Sequence, residues 1–71
     1  LELTLSTAPS ALAQVGQVLA EHRTGVLSMV TEPGPEPGTR TVVLRLDTIN
    51  PGRVIAALER AGVRVRTPLA S

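Results

Sequence analysis

The first twenty residues, LELTLSTAPSALAQVGQVLA, change hydrophobic period within a single turn, and that change limits the fold more than any other feature. Leu1, Leu3 and Leu5 alternate with Glu2, Thr4 and Ser6, the two-residue period of a strand with one buried face. Ser6-Thr7-Ala8-Pro9 is a turn signal. From Pro9 to His22 the apolar positions Ala11, Leu12, Val15, Val18 and Leu19 recur at three and four residues, the stripe of an amphipathic helix. Ser6 or Thr7 is expected to cap this helix, and Pro9 suits its first turn, where no amide hydrogen is required. Such a turn leaves the first helical N–H groups facing outward, where small α/β domains hold anionic ligands. Gly16 costs the helix about 1 kcal/mol relative to Ala, which a close approach of another backbone would offset.

The remainder alternates in the same way. Thr24–Thr31 reads as a strand, with Val26, Ser28 and Val30 on one face and Leu27 and Met29 on the other. TEPGPEPG, residues 31–38, reads as a flexible hairpin loop outside any ladder. Thr39–Leu46 is the clearest strand, Val42, Leu44 and Leu46 against Thr41, Val43 and Arg45. Asn50 and Pro51 start a second helix that buries Val54, Ile55 and Leu58 and stops at Gly62 in a left-handed conformation. Val63–Arg66 is the last strand, Val63 and Val65 inward, Arg64 and Arg66 outward, and the tail TPLAS should fray. The order β-α-β-β-α-β predicts a ferredoxin-like α+β sandwich. Its four-stranded antiparallel sheet, in the order 4-1-3-2, carries both helices on one face.

Seventy-one residues make one domain, near the lower size limit for folding without a staple. The chain has no Cys and a single His, so disulfides, thiolate metal sites and His-based metal sites are all excluded, and no cofactor is implied. A core of Leu, Val, Ile and Ala leaves on the order of 3–5 kcal/mol of net stability, which makes a buried dimer interface a natural supplement. A formal charge of +1 is no nucleic-acid footprint, and with no Phe, Tyr or Trp there is nothing on which a base could stack. No segment is long and apolar enough to span a membrane and no signal peptide is visible. The absence of Cys fits the cytoplasm, the expected location. The chain opens at Leu, inside a strand pattern, as a domain cut from a longer protein would.

The run TAPSALAQVGQVLAEH resembles the acid-x-Pro-Gly-x-Leu start and following helix of ACT domains, and GVLSMV is similar to their second strand. RTVVLRLDTINPGRVIAALERAGVRV resembles most the C-terminal ACT domain of acetoin-utilisation-type CBS-domain proteins, with Arg45, Asp47 and Thr48 in the strand-end motif. The resemblance covers nearly the whole chain. It implies a non-enzymatic regulatory and dimerisation module that senses an amino acid or small effector for an attached CBS or metabolic-enzyme region. The implied ligand-binding residues are Thr7, Ala8, Pro9, Ser10 and Ala11 at the turn, with Gly25 and Val26 contributed across a subunit boundary. Thr7 replaces the family's turn acid, Ser10 its Gly, and Gly25 its Asn or Asp. Structural capping by Thr7 and Ser10, in an oligomerisation domain that has lost its ligand, is the alternative.

The exposed sheet face is expected to carry Arg64 and Arg66, then Glu2, Thr4 and Ser6, then Thr41, Val43 and Arg45, then Leu27 and Met29. Glu2 beside the Arg pair reads as a cross-strand ion pair, with an anion site on Arg45, Arg64 and Arg66 as the sharper alternative. Leu27, Met29 and Val43 form an apolar patch at the second-strand edge, the expected homodimer interface. No catalytic arrangement is visible, because every Ser has only His22 as a partner, and His22 reads as a solvated residue at a helix C-terminus.

Overall fold

The computed structural model describes residues 1–66; the expected fraying of TPLAS falls on residues 67–71, outside them. In chain order the elements are β1 (Glu2–Ser6), α1 (Pro9–Glu21), β2 (Gly25–Pro33), β3 (Thr39–Asp47), α2 (Gly52–Arg60) and β4 (Arg64–Arg66). The strands form one antiparallel sheet in the order β2-β3-β1-β4, the expected ferredoxin-like arrangement read from its other edge.

The alternating strands and the helical stripes meet in one core. Leu3 and Leu5 of β1 and Val42 and Leu44 of β3 are buried against Val15, Val18 and Leu19 of α1 and Val54 and Leu58 of α2, with Val63 closing the end. Leu3 pairs with Val42 and Val65, so the inward faces of three strands fall in one row. Ile55 is only half-buried: it lies at the rim, in a groove beside Leu44 and Leu46. Gly16 has open space around its Cα and no backbone close by, so nothing offsets its cost to α1.

Both helices end in the same hydrogen-bond motif. Thr24 N–H donates to Leu19 O (2.9 Å) and Arg23 N–H to Ala20 O (3.0 Å), with Arg23 in the left-handed region at φ 51°. In α2, Val63 N–H donates to Leu58 O (3.0 Å) and Gly62 N–H to Glu59 O (3.0 Å), with Gly62 at φ 89° as expected. Pro51 already has helical angles (φ −76°, ψ −4°), and Asn50 Oδ1 accepts the Gly52 N–H at 3.3 Å, which is how a capping side chain acts.

The hairpin between β2 and β3 is shorter than the proline-rich sequence implies. Thr31, Glu32 and Pro33 pair with Val42, Thr41 and Arg40, and only residues 34–38 lie between the strands. Pro33 is tolerated because of strand alternation. Gly34 N–H donates to Thr39 O (3.0 Å), so residue 34 faces β3 and residue 33 faces the free edge, where the missing N–H breaks no bond. Thr39 closes the loop: its hydroxyl donates to Glu36 O (2.6 Å) and accepts the Glu36 N–H (3.2 Å).

Candidate functional site

The turn from β1 to α1 is built as a strand end and not as a capped helix start. Thr7 N–H donates to Gly38 O (3.0 Å), extending the β1–β3 pairing by one residue. Ser6 Oγ accepts the Ala8 N–H (2.9 Å), and the capping position falls on Ala8, whose side chain has no acceptor. Capping by Thr7, Ser6 or Ser10 is therefore corrected: no side chain caps α1. Pro9 occupies the first turn, and no acidic residue stands there. The helix start is thus an uncompensated positive end of a dipole.

Beside it lies an open groove of about 410 Å³ lined by Thr7, Thr31, Glu32, Pro33, Thr39 and Arg40. Arg40 pairs with Leu5 on one side and Pro33 on the other. Residues directly opposite share a face, so Arg40 lies on the helix side of the sheet, half-buried, at the end where α1 begins. The sequence reading missed it, although Arg40 continues the inward parity of Val42, Leu44 and Leu46. The groove brings together the hydroxyls of Thr7, Thr31 and Thr39, the Arg40 guanidinium and the Glu32 carboxylate. One charge of each sign thus lines it beside the helix start, an arrangement suited to a small polar ligand with a carboxylate for Arg40.

Gly25 and Val26 are not at this end. They pair with Asp47 and Leu46, whereas Ser6 pairs with Thr39. Eight residues of β3 separate the two positions, roughly 25 Å at the rise of a strand. Within one chain, Thr7–Ala11 and Gly25–Val26 do not form a single site.

The expected dimer patch is also rearranged. β2 has a bulge between Val26 and Ser28, with Leu27 as the extra residue. Beyond it Met29 pairs with buried Leu44 and so belongs to the helix side, while Val30 pairs with Val43 on the outer side. Leu27, Met29 and Val43 are all exposed, but Met29 and Val43 stand on opposite faces. The apolar neighbour of Val43 is Val30, at 55% exposure, which the sequence reading had placed on the other face. All nine residues of β2 are exposed.

Two further expectations are corrected. Glu2 pairs in register with Arg66, but the ion pair found among the described residues joins Arg64 Nη1 to Glu36 Oε1 at 3.5 Å, both side chains well exposed. The three arginines of the proposed anion site do not converge. Arg64 is engaged with Glu36, Glu2 stands between Arg66 and β3, and Arg45 lies two residues beyond Val43, the residue opposite Glu2. His22 is exposed immediately after α1. Among the described residues no three His, Cys, Asp or Glu side chains gather as a metal site, and no helix is long and apolar enough to cross a membrane. No protein-family model matches the chain.

Proposed function

We propose that this domain is a non-enzymatic regulatory module of the ACT type that works as a homodimer, two copies pairing through the free edge of β2. The observation that carries this reading is β2 itself, nine exposed residues at a sheet edge, among them Val26, Leu27, Met29 and Val30. A long apolar edge offers unpaired N–H and C=O groups to another strand, and monomers blunt such edges. The other edge of this sheet is blunted: β4 has three residues, two of them exposed Arg. A second copy on β2 would also supplement a core of ten buried apolar residues among those described.

Effector binding is the second reading, favoured by the uncapped start of α1 and the Arg40 groove. Antiparallel pairing of two β2 edges sets the Gly25 end of one copy against the Pro33 end of the other. The two halves of the expected ligand set, far apart within one chain, would then face each other across the subunit boundary. An amino acid or small anion held there would act on an attached CBS or metabolic-enzyme region, and the Cys-free chain suits a cytoplasmic setting. The structural alternative keeps the dimer and dispenses with the ligand.

Light scattering decides the first reading: a dimer is expected, and a monomer at high micromolar concentration refutes it. Calorimetry against the amino acids decides the second. No heat and no melting shift at millimolar ligand would leave a purely structural oligomerisation domain.

A further inference from the structure

We infer that the two β2 strands pair antiparallel in one register, with Val30 facing the partner's Val30 on the twofold axis and Arg45 reaching the partner's Glu32 across Ser28. The inference rests on the reading of β2 as the dimer edge and goes beyond it by specifying the ladder.

Backbone alternation decides which groups are free. Leu44 exchanges bonds with Leu1 (Leu44 N–H to Leu1 O 2.7 Å, Leu1 N to Leu44 O 3.0 Å), so the even residues of β3 face β1 and the odd ones face β2. Arg45, Val43 and Thr41 therefore bond to Ser28, Val30 and Glu32. The N–H and C=O groups of Met29 and Thr31 are left pointing outward. The run is short: the bulge at Leu27 ends it on one side and Pro33, without an N–H, on the other.

Few twofold registers use both outward residues. With Val30 on the axis, Met29 lies opposite the partner's Thr31 and each pair exchanges both backbone bonds. Sliding one way centres the ladder on Met29 and drives Thr31 into the partner's bulge. Sliding the other way centres it on Thr31 and sets Met29 against the partner's Pro33. Only the first register lets both outward residues exchange two backbone bonds with the partner, because opposite Pro33 the Met29 carbonyl would find no donor.

Side chains select the same register. On the outer face it makes a row of Val43, Val30, the partner's Val30 and the partner's Val43. Val30 is then a non-hydrogen-bonded pair, in which side chains come closest. The next row reads Arg45, Ser28, the partner's Glu32 and the partner's Thr41. Ser28 is small, so the guanidinium and carboxylate can meet over it, once on each side of the axis. Among the described residues neither Arg45 nor Glu32 has an ion-pair partner within its own chain. In the two slipped registers Glu32 falls out of the Arg45 row, so charge complementarity acts as a register device.

The chain contains no Cys, so single cysteines report the register directly. Facing positions in a non-hydrogen-bonded pair lie about 4.5 Å apart between Cα atoms, within disulfide range. Val30→Cys is therefore expected to form a covalent dimer on mild oxidation, roughly tenfold faster than Met29→Cys or Thr31→Cys, whose copies would lie beyond the reach of a disulfide. Val30 is exposed, so folding is preserved, with circular dichroism as the check. Glu32→Arg or Arg45→Glu alone should weaken dimerisation roughly tenfold, and the double exchange should restore it. Faster cross-linking at residue 29 or 31 overturns the register, and a double exchange that restores nothing overturns the ion pair. A dimer that cross-links at none of the three positions overturns edge pairing while leaving a dimer built on another surface. A monomeric chain refutes the functional reading itself.

Discussion

Val30 stands directly opposite Val43 on the face of the sheet turned away from both helices, and the two are exposed by 55% and 37%. This pair, and not the Met29–Val43 pair implied by simple alternation, is the apolar feature of the outer face. The difference is a single residue, the bulge at Leu27, which shifts the parity of everything after it in β2.

Val30→Arg tests that feature. In an isolated chain the change is close to neutral, because the side chain already faces solvent. In a dimer centred on Val30 it places two guanidinium groups face to face and should weaken association by about a hundredfold. Sedimentation velocity measures this. The melting midpoint supplies a second readout, rising with concentration in the parent chain and becoming independent of it in the variant.

Element order, core and sheet order were legible because Leu3, Leu5, Val42, Leu44, Val54 and Leu58 repeat with the periods of their elements. The faces of β2 were not, because a bulge leaves no mark in a run such as GVLSMV, where every parity contains apolar residues. Pro33 in the ladder was not legible either, since its acceptability depends on which side its missing N–H faces, a property of pairing. The candidate site was legible only at the turn. Its separation from Gly25 follows from register along β3, and Arg40 enters the groove because β3 pairs with Leu5, a contact 35 residues away in sequence.

Two glycines should respond in opposite directions to alanine. A Cβ at Gly34 would collide with Thr39 Oγ1 and come within 2.7 Å of the Thr39 carbonyl carbon and 2.9 Å of Arg40 N. Backbone atoms cannot yield as a flexible side chain can, so Gly34→Ala should cost about 1–3 kcal/mol. Gly16→Ala meets nothing within 4 Å on an exposed face of α1. It should stabilise by about 0.5–1 kcal/mol, a rise of several degrees in Tm for a domain of this size. Urea denaturation of both variants at one chain concentration measures the contrast.

Leu58 is fully buried where α2 meets the sheet, and its carbonyl also anchors the turn into β4 through Val63 N–H. Leu58→Ala removes core volume at a cost of about 2–5 kcal/mol, comparable with the whole stability available to a core of this size. The expected result at low micromolar concentration is a largely unfolded chain by circular dichroism. High concentration should recover part of the folded population by mass action if the dimer supplements the core.

The matched helix ends give the sharpest stability test, because one motif occurs twice with different residues in its left-handed position. Arg23 holds φ 51° after α1 and Gly62 holds φ 89° after α2, each followed by a bond from the next residue back to the helix. A side chain in that region costs on the order of 1 kcal/mol or more, and glycine avoids it. Arg23→Gly should therefore raise stability, by less than the full steric relief because glycine also widens the unfolded ensemble. Gly62→Ala should lower it by at least about 1 kcal/mol. Val63 follows Gly62 into the core whereas Thr24 follows Arg23 in a less buried position, so failure at the second end should also loosen β4. Hydrogen exchange separates these outcomes. In Gly62→Ala the Val63 amide should lose protection before the Thr24 amide does, and equal loss at both would show that the motif at α2 is not what holds β4 in place.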